Sequence, residues 1–194
     1  MRIPSALFGF LAAAICPLAL SAASISDFVQ INLVSSVPGM APKTDPGLIN
    51  PWGISFGGAT PFWISDNGAG TATLYNGSGD KQGLIVTLPS FVPGGTISPT
   101  GTVFNGGTAF NSDLFIFASE DGFIDGWRGA LGTTGEILFA TPGANYKGLA
   151  IGSVGGNAYL YAADFANGQV TVFPSMGAPP LAGNFTKKEL SLVT

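Results

Sequence analysis

The sequence has no histidine, a single cysteine and few charges. Without histidine the chain lacks the commonest general base, the commonest zinc ligand and every Ser–His or Cys–His nucleophile pair. The lone Cys16 lies in the apolar N-terminal leader, so no disulfide can form within the rest of the chain. Charged residues make up only 9% of the chain, against the quarter or so usual in soluble domains. The seven Lys and Arg are scattered, the net charge is −4 and no basic stripe exists, which argues against a nucleic-acid surface. Beyond the leader no apolar run reaches the ~20 residues of a membrane span, and no segment has the apolar period of an amphipathic helix.

What is abundant points to β structure. There are 29 Gly, 14 Pro and 15 Phe. Low charge with many aromatics is the reverse of a disordered composition. Glycine-rich turns between β-branched and aromatic runs indicate many short strands. Residues 1–23 read as a signal peptide: Met1-Arg2 supplies a positive start, Leu7 to Leu20 an apolar run, and Ser21-Ala22-Ala23 a small-residue cleavage region. Ile15 before Cys16 is not the small residue a lipoprotein signal needs. The expected location is therefore secreted, extracellular or periplasmic. Asn76-Gly77-Ser78 and Asn184-Phe185-Thr186 fit the N-glycosylation pattern.

The rest of the chain repeats. Trp52-Gly53-Ile54-Ser55-Phe56, Thr100-Gly101-Thr102-Val103-Phe104 and Lys147-Gly148-Leu149-Ala150-Ile151 open three similar units, with the glycines 48 and 47 residues apart. Each opening is followed by a second apolar run (Phe62–Ser65, Leu114–Ser119, Tyr159–Ala163), an acidic or Asn-Gly turn, and a third run (Thr73–Tyr75, Phe123–Trp127, Val170–Phe173). The first two units add a fourth run, Leu84–Leu88 and Ile137–Phe139. Short alternating runs joined by such turns are hairpin signals. Four strands per unit of 40–50 residues is the pattern of a β-propeller blade. The expected organisation is a signal peptide (1–23), an N-terminal strand and linker (24–51, with the strand over Phe28–Val34), and blades at 52–99, 100–146 and 147–194, the last incomplete. Closed propellers have four to eight blades. The chain is therefore expected to be part of a longer ring, or one of several short chains completing a ring together.

The motifs also carry a resemblance. Phe28 to Gly39, Asn50-Pro51-Trp52-Gly53, Trp63-Ile64-Ser65-Asp66-Asn67-Gly68, Phe117-Ala118-Ser119-Glu120-Asp121-Gly122 and Tyr159-Leu160-Tyr161-Ala162-Ala163-Asp164-Phe165 resemble an uncharacterised family of secreted bacterial proteins, the Asn-Pro-Trp-Gly block most specifically. The resemblance implies a six-bladed propeller, of which this chain would be half, and a secreted location; it implies no activity. More loosely the blades are similar to NHL and SMP-30-like propellers, which include lactone hydrolases and lyases.

In a propeller, the loops entering the innermost strand and the turns joining second and third strands emerge on one face. The expected ligand face collects Asn50 and Trp52, Tyr146 and Lys147, and the turn residues Asp66, Asn67, Glu120, Asp121 and Asp164. These could present oxygen ligands to Ca²⁺ or a polar surface flanked by aromatics to a sugar. Asp and Asn also make good turns by bonding their own backbone, which accounts for these positions without a ligand. No EF-hand spacing, phosphate loop or nucleophile elbow is present, so no catalytic residue and no cofactor is assigned. The leading expectation is an extracellular binding propeller for an unidentified ligand or protein. The alternative is a metal-assisted hydrolase or lyase active only in a full ring.

Overall fold

The computed structural model describes residues 29–91 and 94–181. The expected signal peptide, the tail from 182 onward and the sequon at Asn184 lie outside the described residues. Residues 1–31 and 32–194 form separate units; of the first, only 29–31 are described.

The second unit is all-β. It begins with a two-residue parallel pair, β1 (Val34–Ser35) with β2 (Lys43–Thr44). Of the strand expected over Phe28–Val34, Phe28 lies outside the described residues, and only Val34 of the rest, with the following Ser35, is in a strand. Val29 and Ile31 stay exposed rather than burying an apolar face against a sheet. The segment is clipped to the first sheet instead by Lys43 with Asp80, Lys81 with Asp45 at 2.7 Å, and the Tyr75 hydroxyl donating to Asp45 at 2.5 Å.

Three antiparallel sheets follow. Sheet I contains β3 (Pro51–Ser55), β4 (Phe62–Asp66), β5 (Thr71–Tyr75) and β6 (Lys81–Thr87), paired in chain order. Sheet II contains β7 (Pro99–Phe104), β8 (Phe115–Ser119), β9 (Phe123–Trp127) and β10 (Glu136–Ala140), again in chain order. Sheet III contains β11 (Tyr146–Val154), β12 (Asn157–Asp164) and β13 (Gln169–Pro174). The observed strands fall on the apolar runs read from the sequence, within a few residues at each end.

The sheets stack through two cores. Trp63, Ala72, Leu74 and Val86 of sheet I meet Phe115, Phe117 and Trp127 of sheet II. The Trp63 ring stacks on Phe115 at 4.2 Å between centroids. The opposite face of sheet II, with Ile116, Ala118 and Ile124, meets Leu160, Ala162 and Phe173 of sheet III. Strand β8 is buried on both sides, which explains its unbroken run Phe115-Ile116-Phe117-Ala118 where a half-exposed strand would alternate.

The first strands of the three sheets lie closest together, and the repeated glycines allow it. A methyl group on Gly53 would overlap the Thr100 carbonyl and the Thr102 amide. One on Gly101 would overlap Leu149 N and the Gly148 backbone. Beside these contacts, Ser55 Oγ and Thr102 Oγ1 are 3.1 Å apart, and Thr100 Oγ1 donates to the Tyr146 carbonyl at 2.7 Å. Side-chain size grows away from this line: the row Ser65–Ala72–Val86 widens outward from Gly53, and Ala118–Ile124–Phe139 outward from Gly101.

Gly101→Ala forces a methyl into the backbone of the next sheet, where no rotamer change relieves it. The expected cost is about 3 kcal/mol or more, the upper part of the overpacking range, read as a lower urea midpoint at unchanged slope.

Candidate functional site

Antiparallel alternation places the chain entering β3, the β4–β5 turn, the β8–β9 turn, the chain entering β11 and the β12–β13 turn at the same end of the sheets. Each first strand also has a register shift near its start, between Pro51 and Ile54, Pro99 and Thr102, and Tyr146 and Gly148. Such bulges re-aim side chains beside functional sites. Here they fall at Trp52, Thr100 and Lys147.

At this end a polar chain runs across all three sheets. Asn50 Nδ2 donates to Asn67 Oδ1 at 2.9 Å, and Asn67 Nδ2 donates to Glu120 Oε2 at 3.1 Å. Lys147 Nζ is ion-paired with Glu120 Oε1. The same ammonium lies 5.1 Å from the Trp52 ring centroid and 6.0 Å from that of Phe165. Asn50 holds a left-handed φ of 49°, which asparagine tolerates better than most residues. Trp52 is 46% exposed and Phe165 77%, so the two rings flank a solvent-facing ion pair. Cation–π contacts at such exposed sites contribute about 0.5–1 kcal/mol each.

Of the residues expected on this face, Asn50, Trp52, Asn67, Glu120 and Lys147 come together. The others do not join them. The Tyr146 ring is fully buried and packs edge-on to Phe173 at 6.0 Å, because the bulge turns it into the core between sheets II and III. Asp121 accepts from the Ser98 amide at 2.6 Å, tying down the approach to β7. Asp164 accepts from the Asn145 amide, the Asn167 amide and Asn167 Nδ2, the local turn bonding expected of its residue type. Asp66 is buried within sheet I and accepts from Thr73 Oγ1 at 2.7 Å. Burial pushes its carboxyl up to about 6, against the lowering effect of the Thr73 bond. Phe165 was missed as a site residue. Its position beside the Asp164 turn, as a large aromatic outside any strand, was the available signal.

Two further features lie away from this face. A cavity of about 950 Å³ opens at the opposite end, between the β7–β8 loop and the β11–β12 turn. Two of the amides lining it are already committed: Asn105 donates to the Ala109 and Asp113 carbonyls, and Asn111 to Glu136. Asp125, on β9, is completely buried and neither carboxylate oxygen has a partner in the protein. Burial, reinforced by Asp121, raises its pKa well above the ordinary range.

No group of three or more acidic or cysteine side chains suited to a metal occurs among the described residues, and no helix among them is long and apolar enough to cross a membrane.

Asp66 and Asp125 bind protons more tightly in the folded chain than at the unfolded value of 3.8. The stability linked to them is complete below about pH 4 and is lost as pH rises through about 6 and beyond. Asp125→Asn removes the ionisation of the more buried group. Its melting temperature should exceed that of the unchanged protein by roughly 2–4 °C at pH 8, an effect of ~1 kcal/mol, with a smaller gap at pH 4, as followed by circular dichroism.

No family model matches the chain. An uncharacterized protein of Acanthamoeba polyphaga mimivirus is 31% identical over 162 residues, an alignment covering 74% of this chain. The chain spans only 38% of that viral protein's length.

Proposed function

We propose that this chain is an exported β-propeller segment whose role is to bind a carbohydrate at the end of the sheets where Asn50, Trp52, Asn67, Glu120 and Lys147 meet. The observation that carries the reading is the continuous polar chain from Asn50 to Lys147. It takes groups from three separate sheets and leaves aromatic rings exposed on either side. Carbohydrate sites combine such fixed amide and carboxylate groups with aromatic surfaces that cover the sugar's C–H face. The blade reading is supported by three sheets of chain-ordered strands, stacked with their first strands adjacent. Export rests on the leader, and the resemblance to secreted bacterial propellers agrees with both.

The arrangement favours a neutral sugar over Ca²⁺. The one carboxylate in the chain is already neutralised by an ammonium, and a divalent cation would have to displace it. A hydrolase or lyase would need an acid or base poised at this face. Glu120 is engaged with Lys147 and Asn67, while Asp66 is withdrawn into sheet I.

A screen of the secreted chain against neutral polysaccharides, followed by calorimetry on the best ligand, tests the proposal. Trp52→Ala and Glu120→Gln should each weaken binding about tenfold, or ~1.4 kcal/mol, with unchanged melting temperatures. Retention of no neutral glycan, or calcium binding abolished by Glu120→Gln, overturns it.

A further inference from the structure

The two stacked junctions follow one rule. The backbone around the glycine of one sheet fills the hollow left by the glycine of the preceding sheet. Thr102 N sits against Gly53, and Leu149 N against Gly101. The residues two positions further on pack into the same junctions: Phe104 lies against Gly57, and Ile151 joins the core between sheets II and III.

Sheet III repeats the receiving half of this junction. A methyl group on Gly148 would meet only the Ala163 side chain, at 4.0 Å. The row beside it is Ala163 and Val170, in register with Gly148 and enlarging outward as in the other two sheets. Ala150 and Ala163 are exposed, and an apolar hollow of about 250 Å³ lies along Lys147, Ala163, Phe165, Gly168 and Val170, sharing Lys147 and Phe165 with the polar end. Sheet I repeats the inserting half. Ile54 and Phe56 occupy the positions of Thr102 and Phe104, and of Leu149 and Ile151. Yet Ile54 is 62% exposed and Phe56 60%, and Ile85 on the same face is 42% exposed. Thr102, by contrast, is buried.

We infer that a second copy of this chain docks head to tail on sheet III, its Ile54 backbone entering the Gly148 hollow as Leu149 enters that of Gly101. The argument is one of matched halves. One molecule presents both the socket and the plug of a junction that it builds twice internally, and each is left uncovered by the described residues. Such an interface is heterologous: the socket of one copy meets the plug of the other, and the pair retains one free socket and one free plug unless a ring closes. The inference rests on the stacking of the sheets and not on the ligand reading, so a failure to bind glycans leaves it standing.

The secreted chain is measured by light scattering after size exclusion at micromolar to tens of micromolar concentration. The expected mass is at least twice that of one chain. Gly148→Val adds its side chain to open space on an extended strand, and Ile54→Asp charges an exposed position. Each should reduce the mass to one chain while leaving the thermal melt of the fold in place. Mixed together, the two variants retain one intact socket and one intact plug between them and should form a one-to-one complex. A monomeric unsubstituted chain, or variants whose mass is unchanged, overturns the inference; so does a mixture that stays monomeric, which marks the contact as something other than head to tail.

Discussion

Close approach of the first strands at Gly53 and Gly101 is the constraint on which the arrangement of the sheets depends. A Cβ at either position would drive the neighbouring backbone away. Because the strands converge there, the sheets spread apart away from that line, and in the row beside Gly101 the space is filled by side chains that enlarge from Ala118 through Ile124 to Phe139. The Phe139–Phe173 pair, on the outer strands β10 and β13, lies at the wide end, while the stacked Trp63–Phe115 pair fills the space between the second strands β4 and β8. With no disulfide available, this tapering burial and the paired strands hold the sheets together.

The same convergence creates the polar end. Loops that enter the first strands are drawn to one place, and the bulges at Pro51–Ile54 and Tyr146–Gly148 release Trp52 and Lys147 from strict alternation. Glu120 can then reach Lys147 from one side and Asn67 from the other. The site is therefore a product of the stacking, since none of the three sheets supplies the polar chain alone.

Much of the fold was legible in the sequence, because it depends on local patterns. The spacing of Gly53, Gly101 and Gly148 and the apolar runs between acidic turns place all eleven strands of the three sheets. The short N-terminal pair was read as a longer strand. An alternating run such as Val29–Val34 does not reveal whether a sheet edge is there to receive it. The site was legible only in part. Position in the repeat grouped Asn50, Trp52, Asn67, Glu120 and Lys147, which the structure brings together. It could not separate them from Tyr146, Asp66, Asp121 and Asp164. That choice is made by a single residue of bulge or by a nearby amide, as where Ser98 captures Asp121. Asp125 had no signal at all: alternation assigns it to a face, and only the packing of the two sheets decides that the face is dry.

The doubly buried strand β8 has a cost during biosynthesis. Phe115-Ile116-Phe117-Ala118 is uncharged, free of proline and rich in β-forming side chains, the composition that stacks into cross-β fibres when it is left uncovered. It becomes safe only after a sheet has closed over each side. Until then its protection is the acidic groups at its borders, Asp113 before it and Glu120-Asp121 after it, which oppose the in-register stacking of identical chains. Charges that serve as turn and network residues in the finished molecule thus act as gatekeepers against self-assembly while the chain is still unfolded.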